Sequence, residues 1–318
     1  GVPEGDRTEL ANAIAGIATG EENPVNVEIV SKFRSVELVR NAQKCAELLV
    51  ASAEEELNSI VRGLDGEYVD TAPGGDLLRD GPAVLPTGRN CYALDPYRLP
   101  SMAAFQTGVA IAESVIAAHR EKNDGAYPET IAVPLWGLDN IKTRGESVGM
   151  VLGFVGARPT MDGTGRVARF DLIPMEDLRR PRVDVVCNLS GIFRDSFEHV
   201  VHLLDDMFAR ASALGGQEGV EWNFVAKHAA TIASDALDEI GHSRLFSNPA
   251  GDFGSMVNER VASSNWNDGN ELSETYVDRN SFIYGRKGAG RKDQAGILRK
   301  LLKTTDRVVQ CIDSVEYG

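Results

Sequence analysis

Between residues 103 and 213 the chain switches repeatedly between two hydrophobic periods, and that switching leaves few folds open. Residues 103–119 carry apolar side chains at helical spacing, and Thr130-Ile131-Ala132-Val133-Pro134-Leu135-Trp136 is a short continuous apolar run. Residues 146–155 return to the helical period, 167–173 alternate, 183–188 are apolar again, and 196–213 read as a long amphipathic helix. Short apolar runs set between helices are the mark of strands buried on both faces. Parallel neighbours need a long crossover, so this order predicts a mostly parallel sheet covered by helices on both sides. The expected class is α/β, a mostly parallel sheet flanked by helices, with helical segments before and after it. The expected divisions are a helical segment over 1–75, the α/β segment over 76–215, and a mainly helical segment with a long loop over 216–318.

The flanks are plainer. Val36, Val39, Ala42, Ala46, Leu49, Leu57, Ile60 and Val61 recur at helical spacing, with Glu54, Glu55 and Glu56 on the exposed side, so this helix is expected to pack. Residues 64–90 are rich in Gly, Pro and Asp, and their embedded apolar pairs suggest an ordered, functional loop. Further helices are expected over 222–240 and 294–312, separated by a Gly/Asn/Ser-rich stretch over 246–284.

A net charge of −14 argues against nucleic acid as the main partner, because phosphate binding needs a basic face. The stretch from Arg286 to Lys303 is basic and reads as a solvated helix with its leading loop, or as a docking patch for an acidic partner. No apolar run approaches the roughly 20 residues of a transmembrane helix. The chain starts at Gly1, so it is expected to be a piece of a longer protein. Cys45, Cys91, Cys187 and Cys311 are scattered, with no C-x-x-C, which points to a reducing compartment. No phosphate-binding glycine loop occurs, so any ATP is bound elsewhere.

In an open parallel sheet, ligands gather at the carboxyl ends of the strands. Two strand ends here carry chemistry. After the run at 130–136 come Trp136, Asp139 and Lys142; after the run at 183–188 come Ser190, Arg194 and Asp195. Asp195 or Ser196 can cap the helix expected to follow. Arg194 has the wrong sign for that duty, and is read as a clamp for a ligand carboxylate or as a fixed ion pair. Asn248 and Phe253 lie in a loop that is either structural or a wall against a flat ligand. His228 sits in a mixed apolar helix, as a hydrogen-bonded core or cleft histidine or as a proton-transfer group. His199 and His202, one turn apart, fall on the polar face of their helix, which an amphipathic helix explains without a metal.

Several long motifs carry a resemblance. LPTGRN at 85–90, ALDPYRLPS at 93–101, YPETIAVPLWGLDNIKTRGES at 127–147, RPRVDVVCNLSGIFRDSFEHVVHLLDD at 180–206, RLFSNPAGDFGSMVNER at 244–260 and IDSVEYG at 312–318 closely resemble the large-subunit family of magnesium chelatase. Cobaltochelatase large subunits are more distant members. The resemblance implies a segment of the porphyrin-binding large subunit, with Mg²⁺ and protoporphyrin IX as substrates. It further implies ATP hydrolysis by AAA+-type I and D partner subunits, in the chloroplast stroma or a cyanobacterial cytoplasm. On that footing Asp195 and His228 are candidate catalytic groups. Arg89, Asn90, Trp136, Asp139, Lys142, Arg194, Asn248 and Phe253 are candidate porphyrin-binding residues, and no metal ligand is assigned. Two departures stand out. The family continues its P-T-G-[RK]-N motif with Ile-His, where this chain has Cys91-Tyr92. The family's H-G-T-x-E segment is absent, so the chain alone is expected to be inactive. A cobaltochelatase-like large chain and a non-catalytic tetrapyrrole-binding or signalling module are the alternatives.

Overall fold

The computed structural model describes residues 4–20, 24–33, 36–72, 77, 82–91, 95–233, 241–286 and 295–310, and divides near residue 93 into two compact units. In the first unit, helices Glu4–Ala18 and Pro24–Lys32 pack with the long helix Val36–Leu64 through Leu10, Ala13, Ile17, Val30 and Val39. Strands β1 (Thr71–Ala72) and β2 (Asn90–Cys91) pair in parallel. The segment before β2 lies along the long helix, where the Thr87 amide donates to Ser52 Oγ at 3.0 Å and Thr87 Oγ1 donates to Glu56 at 2.5 Å. The expectation that this helix packs holds for its first half only. Leu49, Leu57, Ile60 and Val61 are exposed. Much of the expected functional loop (73–76 and 78–81), together with Tyr92, lies outside the described residues.

The second unit holds the alternating α/β region. Its strands are β3 (Thr130–Leu135), β4 (Ala157–Met161), β5 (Val167–Leu172), β6 (Asp184–Leu189), β7 (Leu245–Ser247), β8 (Phe282–Ile283) and β9 (Thr305–Val308). Five of them form one sheet in the order β8-β7-β6-β3-β9. β3 runs parallel to β6 in register from Thr130 opposite Asp184 to Leu135 opposite Leu189, and β7 and β9 are also parallel to their inner neighbours. β8 alone is antiparallel. The strand expected at 167–173 pairs outside this sheet, with β4, in an antiparallel ribbon. One face of the sheet packs Val133, Leu135, Val185 and Leu189 against helices Glu146–Val155 and Glu198–Ala213; the other packs Val186, Phe246 and Ile283 against Ile297, Leu298 and Leu301. Burial on both faces is why these strands read as continuous apolar runs. Among the described residues no helix is long and apolar enough to cross a membrane.

Two expectations need correction. The helix expected over 294–312 ends at Lys303, because the Thr304 and Thr305 hydroxyls both donate back to the Leu301 carbonyl. The chain then extends as β9, anchored where Asp306 accepts the Glu129 amide at 2.7 Å. The stretch at 246–284 is not one loop but holds helices Val257–Ala262 and Gly269–Asn280 and strand β8. In the basic stretch, Arg286 pairs with Asp206 at 3.2 Å and Arg299 with Glu274, as surface cations do; Lys287, Arg291 and Lys292 lie outside the described residues.

A buried ionic cluster ties the amino ends of the inner strands together. Asp184, at the start of β6, accepts from Arg244 Nε at 2.7 and 3.0 Å, and both side chains are fully buried. Arg244 also donates to the Gly241, Ser243 and Val225 carbonyls. His228 Nδ1 lies 2.9 Å from Asp184, its Nε2 lies 3.3 Å from Glu129, and Lys227 pairs with Glu129 at 2.6 Å. Burial alone would raise the Asp184 carboxyl, but Arg244 and His228 outweigh it and hold it below the usual carboxylate range. The stability that this cluster supplies is therefore present above the ordinary carboxylate pKa of about 3.9 and is lost as pH falls through the lower folded value. Arg244→Ala strands a buried carboxylate, and should cost about 3–5 kcal/mol in denaturant unfolding at neutral pH. The loss should shrink on acidification towards the range where Asp184 protonates.

Candidate functional site

The carboxyl ends of β3, β6 and β7 build the opposite pole of the sheet. β3 runs into Trp136 and the helix Gly137–Thr143. β6 runs into Ser190, which caps the short helix Gly191–Ser196. Ser190 holds the two ends together: its amide donates to the Leu135 carbonyl at 3.1 Å, and its Oγ accepts from Gly137 at 3.0 Å and Phe193 at 3.1 Å. The packing is tight enough to demand glycine at two positions. A Cβ on Gly137 would collide with Ile192 Cγ2, and one on Gly191 would sit 2.5 Å from Phe253 Cδ1.

Here the structure corrects the reading of Arg194 and Asp195. The segment 191–196 is not a loop leading to a cap at Asp195 or Ser196; it is a helix whose cap is Ser190 and whose last turn contains Arg194. A cation there complements the helix dipole. Helix Glu198–Ala213 begins after a break at Phe197. The Arg194 side chain is 3% exposed. Its Nε and Nη2 donate to the Asp195 carboxylate at 2.6 and 2.9 Å, and its Nη1 donates to the Asn248 and Pro249 carbonyls at 2.9 and 3.0 Å. The guanidinium also lies 5.5 Å from the centre of the Tyr284 ring, and the Tyr284 hydroxyl donates to the Asn248 carbonyl at 2.6 Å. The hydrogen bond from Arg194 holds Asp195 below the usual carboxylate range, which makes it a weaker base than a free aspartate. Asp195 itself is half exposed.

Around this cation the rim is apolar. Trp136 is 45% exposed and Phe253 60%, with Leu138 and Ile192 also exposed. Exposed apolar groups that converge on one edge mark a contact surface rather than a folding core. Asn248 Nδ2 donates to the Gly254 carbonyl at 2.7 Å and so closes the loop that carries Phe253. Asp139 and Lys142 lie half-buried on the helix behind Trp136, and the buried Asn140 side chain keeps an unpaired Oδ1.

Of the residues named from sequence, Trp136, Asp139, Lys142, Arg194, Asp195, Asn248 and Phe253 thus share the carboxyl pole. His228 does not. It contacts Asp184 and Thr130, the first residues of β6 and β3, a strand length or about 17 Å from the carboxyl ends at roughly 3.3 Å per residue. Arg89 and Asn90 belong to the first unit, where the Asn90 side chain donates to the Val69 carbonyl at 3.2 Å. His199 meets the Val167 carbonyl at 2.9 Å, in keeping with a structural role. Among the described residues no group of three or more His, Cys, Asp and Glu side chains is placed to hold a metal ion. Sequence reasoning missed Ile192 and Tyr284, although an Ile set between a capped glycine and a buried Phe was a usable signal for the former.

A parallel sheet with an apolar rim and a sequestered cation at its carboxyl edge defines a ligand-binding α/β module. The chain belongs to the CobN/magnesium chelatase family, whose model matches residues 4–318. It is 44% identical over 264 residues to the magnesium-chelatase large chain (type H) of Chlorobaculum parvum, covering 83% of this chain and 20% of that protein. Identity to the chloroplastic magnesium-chelatase protein ChlH of Oryza sativa subsp. japonica is 42% over 280 residues, covering 86% of this chain and 20% of the relative. The aerobic cobaltochelatase protein CobN of a Sinorhizobium species is 30% identical over 277 residues. Among solved structures, the catalytic subunit of cobaltochelatase from Mycobacterium tuberculosis superposes with a TM-score of 0.80 at 30% identity, covering 96% of this chain and 26% of that one. The chain spans about a fifth of the length of the curated relatives it matches.

The Arg194 geometry sets a measurable expectation. Its pair with half-exposed Asp195 is screened, so the two carbonyl bonds carry most of its structural value. Arg194→Lys keeps the charge but loses the fork, and should reduce unfolding stability by about 1–3 kcal/mol. Asp195→Asn should cost under about 1 kcal/mol in the same denaturation experiment.

Proposed function

We propose that this chain is the part of a magnesium-chelatase large subunit that presents the carboxyl edge of its sheet to protoporphyrin IX. The observation that carries this reading is the apolar rim of Trp136, Leu138, Ile192 and Phe253 in a chain of this family. A flat macrocycle buries much apolar area against such a rim, and aromatic side chains add offset stacking. Lys142 and Arg194 supply positive potential for the ring propionates, and Asp195 acts through its hold on Arg194. Mg²⁺ is the second substrate. It sheds its waters reluctantly, so insertion calls for an energy source, which AAA+-type I and D partner subunits would supply from ATP. The ring loses two pyrrole protons as the ion enters, and the group that accepts them is placed outside this edge, since Asp195 is a weakened base. Identity of 41–44% to magnesium-chelatase relatives against 30% to CobN favours magnesium over cobalt. The rice relatives are chloroplastic, which supports the plastid stroma as the location if the source is a plant. The chain alone is proposed to lack chelatase and ATPase activity.

The test is Trp136→Ala and Phe253→Ala in the full-length subunit, with protoporphyrin binding followed by fluorescence quenching and melting measured in parallel. Each should weaken binding by about tenfold, which corresponds to roughly 1.4 kcal/mol, with melting unchanged. His228→Gln should do the reverse, lowering the melting temperature and leaving porphyrin affinity intact. Unchanged affinity in both rim variants would overturn the reading, and a rim preferring a corrinoid precursor would move it to the cobalt branch.

A further inference from the structure

The long helix Val36–Leu64 leaves its second half unpartnered among the described residues in an orderly way. Ala46, Val50, Ala53, Leu57, Ile60 and Leu64 follow one another in alternating steps of four and three residues, the repeat of a coiled-coil seam. Val50 is 74% exposed, Leu57 69%, Ile60 61% and Leu64 84%. The flanking positions Leu49 and Val61 widen the stripe, and both are exposed. The opposite side of the same helix is occupied, since Ser52 and Ser59 are buried and Ser52 accepts from Thr87. An apolar stripe of this length and regularity is a docking surface rather than scattered surface hydrophobicity.

The flanks select the occupant. Glu47 and Glu54 border the seam on one side and Glu56 on the other, and the chain carries a net charge of −14. A second copy would bring the same acids and the same excess charge, whereas a helix with Lys and Arg at its flanking positions is complementary. The relatives are about five times longer than this chain, which spans 20% of the Chlorobaculum protein, so a cis-acting partner is available at high effective concentration. We propose that the seam from Ala46 to Leu64 is the seat of an amphipathic helix with a Leu/Ile seam and basic flanks, contributed by the rest of the same large subunit. The proposal rests on membership of the family and is independent of the tetrapyrrole reading. It assigns this helix to assembly of the subunit.

The experiment places a benzophenone side chain at position 57 of the full-length subunit, irradiates it, and maps the cross-linked peptide by mass spectrometry. The expected product is an intramolecular cross-link to an apolar helix with Lys or Arg flanks outside these 318 residues. With the probe moved to position 50, Leu57→Glu combined with Ile60→Glu should reduce that product at least tenfold. Paired Glu47→Lys and Glu54→Lys should reduce it several-fold. Cross-links between two copies, to residues 95–310, or to a separate protein would overturn the proposal, as would failure to form any cross-link. An unchanged yield in the Lys variant would overturn the assignment of basic flanks.

Discussion

A carboxylate with no exposure at the start of β6 can stay charged only if something equally buried answers it, and Arg244 does so from the residue before β7. That pair is the constraint on which the rest of the second unit depends. It brings Arg244 to the β6 edge, where the Arg244 carbonyl accepts the Cys187 amide at 2.8 Å, and so sets the register of β7. With β7 in place, the chain leaving it must arrive at the carboxyl pole. There the Asn248 and Pro249 carbonyls meet Arg194 and the loop swings Phe253 against Gly191. The amino pole is thus ionic, buried and closed, and the carboxyl pole is apolar, exposed and open. A parallel sheet makes the two ends chemically unlike by aligning every strand the same way, and ligands collect where the strands stop.

The carboxyl pole also shows how a chain can keep a cation near an apolar surface without leaving it wet. The Arg194 charge is neutralised by Asp195, and two backbone carbonyls take up the rest of the fork, so the guanidinium is part of the scaffold under the rim. Trp136, Ile192 and Phe253 then stand on parts held rigid by Ser190 and by the close approaches at Gly137 and Gly191. A contact surface that is already ordered loses little entropy when it is covered. That is the physical case for reading the rim as a binding face.

How much of this was legible depended on whether a feature was local. The apolar runs at 130–136 and 183–188 announced buried parallel strands, because burial on both faces removes the polar alternation that would otherwise blur them. Trp136 and Arg194 could be placed at one edge on that basis. β9 was invisible, since four residues of mixed polarity at the end of a strongly amphipathic helix carry no strand period, and only the Thr304 and Thr305 hydroxyls mark the stop. The cap at Ser190 was missed because Asp195-Ser196 offered an equally good local cap one turn later. His228 was drawn towards catalysis by its residue type, while its partners Asp184 and Glu129 are distant in sequence and only the fold assembles them. The exposed half of the long helix misled in the opposite sense: its period promised packing, and its partner is not among the described residues.

The account turns on which pole of the sheet meets the macrocycle, and amide hydrogen exchange in the full-length subunit reads that directly. With saturating protoporphyrin IX, exchange at residues 136–143, 190–196 and 248–254 should slow, while the amides around Glu129, Asp184 and His228 exchange as they do without ligand. Protection confined to the amino pole, or absent from all three carboxyl-edge segments, would contradict it.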